Sequence, residues 1–201
     1  MSDFFSATEL LWTLISTTAW NGTLVMNIGP AADGRIPPIF LDRFQEIGEW
    51  MEINGEAIYG SRVWAGALPS GSEGAQPGGF QGAANATYYT SGTAKSGCQF
   101  DQSADSVGDV GAGSGCQGAG GAGAVYAITM GYPEADAHGQ RTLSLSKPVG
   151  VSGATKVQLL GVAAELSWKP RTGGGIDVSL PPPPLGSGHA WTLKMTGLKN
   201  A

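Results

Sequence analysis

Ionisable side chains are scarce in this sequence. Asp, Glu, Lys and Arg together make up 13% of 201 residues, and histidine occurs twice. The net charge is −5, and no Lys/Arg cluster exists that could follow a phosphate backbone, which excludes nucleic acid as an expected partner. Long apolar runs are missing too. Stretches such as Leu10–Ile15 are far too short to span a bilayer. Met1-Ser2-Asp3-Phe4-Phe5 has no basic n-region and no cleavage site, so no signal peptide is expected in this chain. Cysteine occurs twice, at Cys98 and Cys116. With two distant histidines this gives no zinc-ligand spacing, and no metal or cofactor is expected. The two cysteines bracket one Gly/Ser-rich loop. A disulfide there would remove roughly 3 kcal/mol of unfolded-chain entropy and is the favoured reading; two free surface thiols are the other.

Glycine, by contrast, is abundant at 33 residues, and hydrophobic residues reach 41%. Low charge with high glycine points to β-rich structure with long loops around a packed core. The first sixty residues nonetheless read as helix, strand, helix. Ser6-Ala7-Thr8-Glu9 has capping-box spacing, and Leu10, Leu11, Leu14 and Ile15 mark one helical face. Asn21-Gly22 stops that helix. Thr23–Ile28 reads as a short apolar strand buried on both faces, as in a parallel sheet. Pro37-Pro38 starts a second helix, with Phe40, Phe44, Ile47 and Met51 at helical period, and Asn54-Gly55 is expected to supply a left-handed cap.

After about Arg62 the composition shifts. Thr87–Thr90, Ala124–Tyr132, Thr142–Ser146, Lys156–Val162, Glu165–Trp168, Ile176–Leu180 and Ala190–Leu198 read as short strands separated by turn signals, the pattern of an antiparallel sandwich. Residues 92–123 form a Gly/Ala/Ser-rich insert. Within it, Gly118-Ala119-Gly120-Gly121-Ala122-Gly123 fits a dinucleotide fingerprint on paper. It follows a loop and precedes a strand, so it is rejected. Asp101, Asp105 and Asp109 lack calcium-loop spacing. Asn21-Gly22-Thr23 and Asn85-Ala86-Thr87 match the N-glycosylation acceptor pattern, Asn85 being the better candidate because it lies in a polar loop.

Several separated motifs then carry a resemblance. Asn27-Ile28-Gly29-Pro30, Asp33-Gly34-Arg35-Ile36, Ile47-Gly48-Glu49-Trp50 and Asn54-Gly55-Glu56-Ala57-Ile58-Tyr59-Gly60 occur in that order. Ala124–Ile128, Leu159-Leu160-Gly161 before Leu166-Ser167-Trp168, Ser179-Leu180-Pro181 and Ala190–Lys194 follow. Together they resemble the α-L-fucosidases, retaining glycoside hydrolases of lysosomal and secreted type. Val63-Trp64 stands where that family has a Pro-Trp-like start to its C-terminal domain. The resemblance implies an α/β region followed by an all-β region. Residues 1–62 would be the end of a (β/α)8-type barrel (a helix, strand 8 and the final helix). Residues 63–201 would be a C-terminal antiparallel β-sandwich. It further implies fucosylated glycans as substrates of the whole enzyme, and leaves a homo-oligomer open.

A retaining glycosidase works with two carboxyl groups about 5–5.5 Å apart. In this family both lie upstream of the Asn27-Ile28-Gly29-Pro30 motif, so no catalytic residue is expected in this chain. Asn27, at the C-terminal end of strand 8, is the one candidate for contact with substrate. A role bonding backbone in the following turn is the competing reading. Glu56 is expected to be structural, His138 to be exposed in a turn beside Gly139, and His189, leading into the last strand, to have no partner. Trp64, Tyr88, Tyr89, Trp168 and Trp191 could stack on sugars in a non-catalytic carbohydrate-binding module, the alternative function. Core packing is the favoured role for them.

Overall fold

The computed structural model describes residues 4–67, 71–74, 85–92, 123–148, 151–184 and 188–198. Cys98, Cys116, the aspartates of the insert and its glycine run up to Ala122 lie outside the described residues.

The first helix, α1 (Ala7–Ala19), begins where the sequence says it should. The Ser6 hydroxyl accepts from the Glu9 amide at 3.2 Å, and the Glu9 carboxylate accepts from the Ser6 amide at 2.7 Å. Both arms of the capping box are therefore closed. At the other end Asn21 takes φ 62°. The Gly22 amide donates to the Thr17 carbonyl at 2.8 Å and the Asn21 amide to Thr18 at 3.1 Å, the paired bonds of a Schellman stop. The second helix, α2 (Pro38–Asn54), starts on Pro38. Its end differs from expectation. Gly55 is right-handed at φ −59°, and the chain runs on into a 3-10 turn, Gly55–Ala57. The Asn54 side chain donates to the Trp50 carbonyl and is buried, so the helix closes with a side chain where a left-handed glycine was expected.

Between the helices, Thr23–Ile28 alternates exposed and half-buried residues as an extended chain does, but it has no regular secondary structure and forms no β ladder among the described residues. The expected buried strand is thus an unpaired segment, with Val25 85% exposed. The physical reason is simple: a strand exists only through its neighbours' hydrogen bonds, and among the described residues no strand pairs with this one.

The remainder is mostly antiparallel β-sheet. A six-stranded sheet has the order β1 (Arg62–Val63), β3 (Thr87–Gly92), β4 (Ala124–Thr129), β9 (Trp191–Thr196), β6 (Lys156–Leu159); β2 (Ser72–Glu73) also pairs with β3. A second sheet has the order β5 (Arg141–Leu145), β8 (Ile176–Leu180), β7 (Trp168–Pro170). β3 and β4 form a hairpin ladder whose open end pairs Gly92 with Ala124, so both ends of the insert leave from adjacent backbone.

The two sheets pack face to face, and the period-2 alternation of their strands builds two cores. Val125, Ala127, Leu193, Met195, Val157, Leu159, Ile176 and Val178 fill the space between the sheets. On the opposite face of the larger sheet, Tyr88, Tyr126 and Ile128 meet Leu11, Ile15, Ala19, Ile47 and Trp50 from the helices. Asp177 and Ser179 point outward between buried Ile176, Val178 and Leu180, as the alternation of β8 required.

Two tryptophans pin the helices to the sheet. The indole N–H of Trp12 on α1 donates to the His189 carbonyl at 2.9 Å. That of Trp50 on α2 donates to the Ala190 carbonyl at 2.8 Å, in a buried position. The buried line of α2 is therefore Ile47, Trp50 and Asn54, rotated from the Phe40–Phe44–Ile47–Met51 line of the sequence pattern. Trp50→Phe should leave the Ala190 carbonyl buried without a donor and cost about 1–3 kcal/mol. Thermal unfolding followed by circular dichroism should show a fall of roughly 2–4 °C per kcal/mol. Ser6→Ala, losing one cap, should cost about 1 kcal/mol in the same assay.

Candidate functional site

The side of α1 and α2 turned away from the sheet is apolar as well. Leu10 and Thr13 from α1, Leu24–Asn27 from the extended segment, Phe40, Arg43 and Phe44 from α2, and Phe4 and Phe5 line a groove of about 280 Å³. Phe4, Phe5, Leu41 and Phe44 are exposed, and Phe4 meets Phe40 edge-to-face at 5.8 Å. Isolated exposed apolar residues are ordinary, but a contiguous apolar surface marks something that is meant to be covered. Asn27, Arg43 and Thr13 are the polar members of this lining. Asn27 is exposed and sits at the end of the segment. Arg43 reaches Glu46 at 3.1 Å through Nη1, while its Nε is buried without a hydrogen-bond partner.

Several carboxylates elsewhere have structural partners. Glu9 closes the α1 cap, and those bonds to Ser6 hold its carboxyl below the usual range. Asp33 accepts from the Arg35 amide in its turn. Glu46 lies 3.7 Å from His189 Nε2. Glu56 binds the Lys194 ammonium at 2.8 and 3.1 Å, on the helix-facing side of the large sheet, beside Tyr126. Its expected structural role is thus given a shape: it ties the turn after α2 to β9. Among the described residues no group of three or more His, Cys, Asp or Glu side chains could hold a metal ion.

His189, expected to have no partner, has several. Its Nδ1 lies 2.8 Å from the Thr8 hydroxyl, and the ring bridges α1, α2 and the start of β9. His138 is exposed in a turn, as expected. Glu73 was not singled out by any pattern, yet it accepts from the Tyr89 hydroxyl at 2.5 Å and from the amides of Ser146 and Lys147 at 2.9 and 2.7 Å. It fastens β2 of one sheet to the end of β5 of the other. The one clue was a lone Glu in a Gly/Ser-rich stretch, which is weak.

Of the aromatics weighed as sugar platforms, Trp64, Tyr88 and Tyr89 are buried, and Trp168 and Trp191 are partly buried against the inter-sheet core. Trp191 packs on Tyr132 with ring centroids 4.9 Å apart. Both glycosylation candidates, Asn21 and Asn85, are exposed.

This sandwich with its helical cover matches solved structures over nearly its whole length. An α-fucosidase of Thermotoga maritima superposes with a TM-score of 0.59 at 19% identity, covering 97% of this chain and 35% of that one. Isoenzyme 1 of the Paenibacillus thiaminolyticus α-L-fucosidase gives 0.59 at 20% identity, over 96% and 35%. At that identity the likeness is one of fold. The sequence carries it further. Residues 1–56 match the α-L-fucosidase family profile, and residues 118–196 match that of the α-L-fucosidase C-terminal domain. Human tissue α-L-fucosidase is 31% identical over 99% of this chain and 33% of its own length. An α-L-fucosidase of Branchiostoma floridae is 30% identical over 98% and 34%. The chain belongs to the α-L-fucosidase family, a family of glycosidases, and spans about a third of the length of the curated relatives it matches.

The latch between the sheets has a pH signature. Burial, reinforced by the neighbouring Glu73 charge and its hydrogen bond, raises the Tyr89 phenol well above the ordinary value of 10.0. Burial and Glu56 raise Tyr126 likewise. Because these folded-state values lie above the unfolded one, the stability they contribute is whole below pH 10.0 and is lost as pH rises beyond it. Phenolate absorbance should therefore appear together with loss of near-ultraviolet circular dichroism above that pH. In Glu73→Gln, which removes a charge opposing ionisation, the onset should move to lower pH.

Proposed function

We propose that this chain forms the C-terminal part of a retaining α-L-fucosidase that removes terminal α-L-fucose from glycans. In this reading residues 1–62 are the closing end of a (β/α)8 catalytic barrel, with Thr23–Ile28 as its eighth strand, and residues 63–201 are the β-sandwich domain. The observation that carries the reading is the uncovered apolar groove around Val25. An apolar, extended, unpaired segment flanked by apolar helix faces is what a parallel barrel strand becomes without its neighbours. The family match over residues 1–56 supports it independently.

Hydrolysis would proceed through a glycosyl-enzyme intermediate, with one carboxylate as nucleophile and one as acid/base. Neither is assigned to this chain. Its contribution to the pocket is Asn27, at the end of strand 8 where barrel active sites are built, with its carboxamide available to a sugar hydroxyl. Tissue and plasma α-L-fucosidases among the relatives favour a lysosomal or secreted setting. No helix of the described residues is long and apolar enough to cross a membrane. The burial of Trp64, Tyr88 and Tyr89 weighs against a sandwich that binds sugar through surface aromatics.

Sequencing the transcript upstream of Met1 tests the reading. An in-frame segment encoding the earlier barrel strands and an Asp nucleophile is expected. The longer protein should hydrolyse a chromogenic α-L-fucoside, and the 201-residue chain should not. Turnover by the short chain at the rate of the long one would overturn the assignment. In the long protein Asn27→Ala should lower kcat/KM about tenfold, the equivalent of one hydrogen bond to substrate.

A further inference from the structure

We propose that Asn85 is an N-glycan acceptor. Among the described residues, the non-glycine positions with positive φ are Asn21 at 62° and Asn85 at 64°. Both head an Asn-X-Thr triplet, and both are exposed. Asparagine tolerates the left-handed region better than most residues, so each conformation has a local explanation. The two sites differ in what surrounds them. Asn21 is the stop of α1, and the chain leads from it directly into the unpaired segment that the proposed function covers with the rest of a barrel.

Asn85 stands at the rim of the sheet, just before β3, where the Met130 amide donates to the Ala86 carbonyl at 2.9 Å and closes the ladder. Its carboxamide oxygen rests against Gly131. A Cβ there would approach that oxygen far inside van der Waals contact, so a larger residue at 131 would make the Asn85 carboxamide shift. Asn85 as a whole is exposed, so its carboxamide is within reach of solvent. A glycan on it would extend into solvent, clear of both cores.

The reaction is a transfer from a lipid-pyrophosphate-linked oligosaccharide. The Asn85 Nδ2 forms a bond to C1 of the first sugar, the bond from C1 to the pyrophosphate oxygen breaks, and Nδ2 gives up one proton as the lipid pyrophosphate leaves. Thr87 is buried once β3 has paired. The triplet is therefore readable only before that pairing, which places the modification ahead of sheet assembly.

The test is expression of the whole chain behind a cleavable leader in secretory eukaryotic cells, with mass measured before and after peptide N-glycosidase. A glycan step is expected that survives in Asn21→Gln and disappears in Asn85→Gln and Thr87→Ala. Thr87→Ser, which keeps the triplet, should retain it and so separates loss of the acceptor from misfolding. Peptide sequencing should find Asp at position 85 after enzymatic release. No glycan on the parent chain, or an undiminished glycan step in Asn85→Gln, would overturn the proposal.

Discussion

Strand β4 is the member on which the rest leans. All six of its residues, Ala124–Thr129, are buried, and their alternation feeds two separate cores. Tyr126 and Ile128 face the helices, while Val125 and Ala127 face the smaller sheet. A one-residue slip turns every side chain of a strand to its other face, and here it would exchange both cores at once. The long β3–β4 and β4–β9 ladders are held in place by that double penalty. β9 inherits the constraint, and through the carbonyls of His189 and Ala190 just before it, so do the tryptophans that seat α1 and α2.

The molecule is thus layered, helices on sheet on sheet, and its polar interactions sit at the joins between layers. Glu56 and Lys194 tie the turn after α2 to β9. Glu73 joins the two sheets through Tyr89 and two backbone amides. Each is a charged group partly withdrawn from water with its hydrogen bonds satisfied, the condition under which such a group is tolerated there. The layering leaves one face unfinished. α2 is apolar on two sides: the side bearing Trp50 packs on the sheet, and the side bearing Phe40 and Phe44 lines the groove.

Much of this was legible in the residues. The capping box at Ser6, the Asn21-Gly22 stop and the alternation of β8 are local features, written in side-chain chemistry at fixed spacing. The sandwich strands could be read for the same reason. What could not be read was pairing. Thr23–Ile28 has the composition of a buried parallel strand, but composition does not bring neighbours. Gly55 looked like a left-handed cap because Asn-Gly usually is one; the buried Asn54 side chain took over that role. β1 and β2, with two residues each, are too short for any period to register. Partners far apart in the chain escaped notice as well: His189 to Thr8, and Glu73 to residues more than seventy positions later. At the groove, Asn27 could be singled out in advance by its motif. Arg43 could not, because its place there depends on how α2 is turned, and Trp50 decides that.

The closed ladder at Gly92 and Ala124 has a consequence for how such a chain varies over time. The two strands are paired along their whole length, Thr87–Gly92 against Ala124–Thr129. Lengthening a flexible connection costs only about 0.6 kcal/mol for each doubling. This hairpin mouth is therefore a port at which sequence can be gained or shed with the scaffold left standing, and a place where a foreign peptide could be grafted.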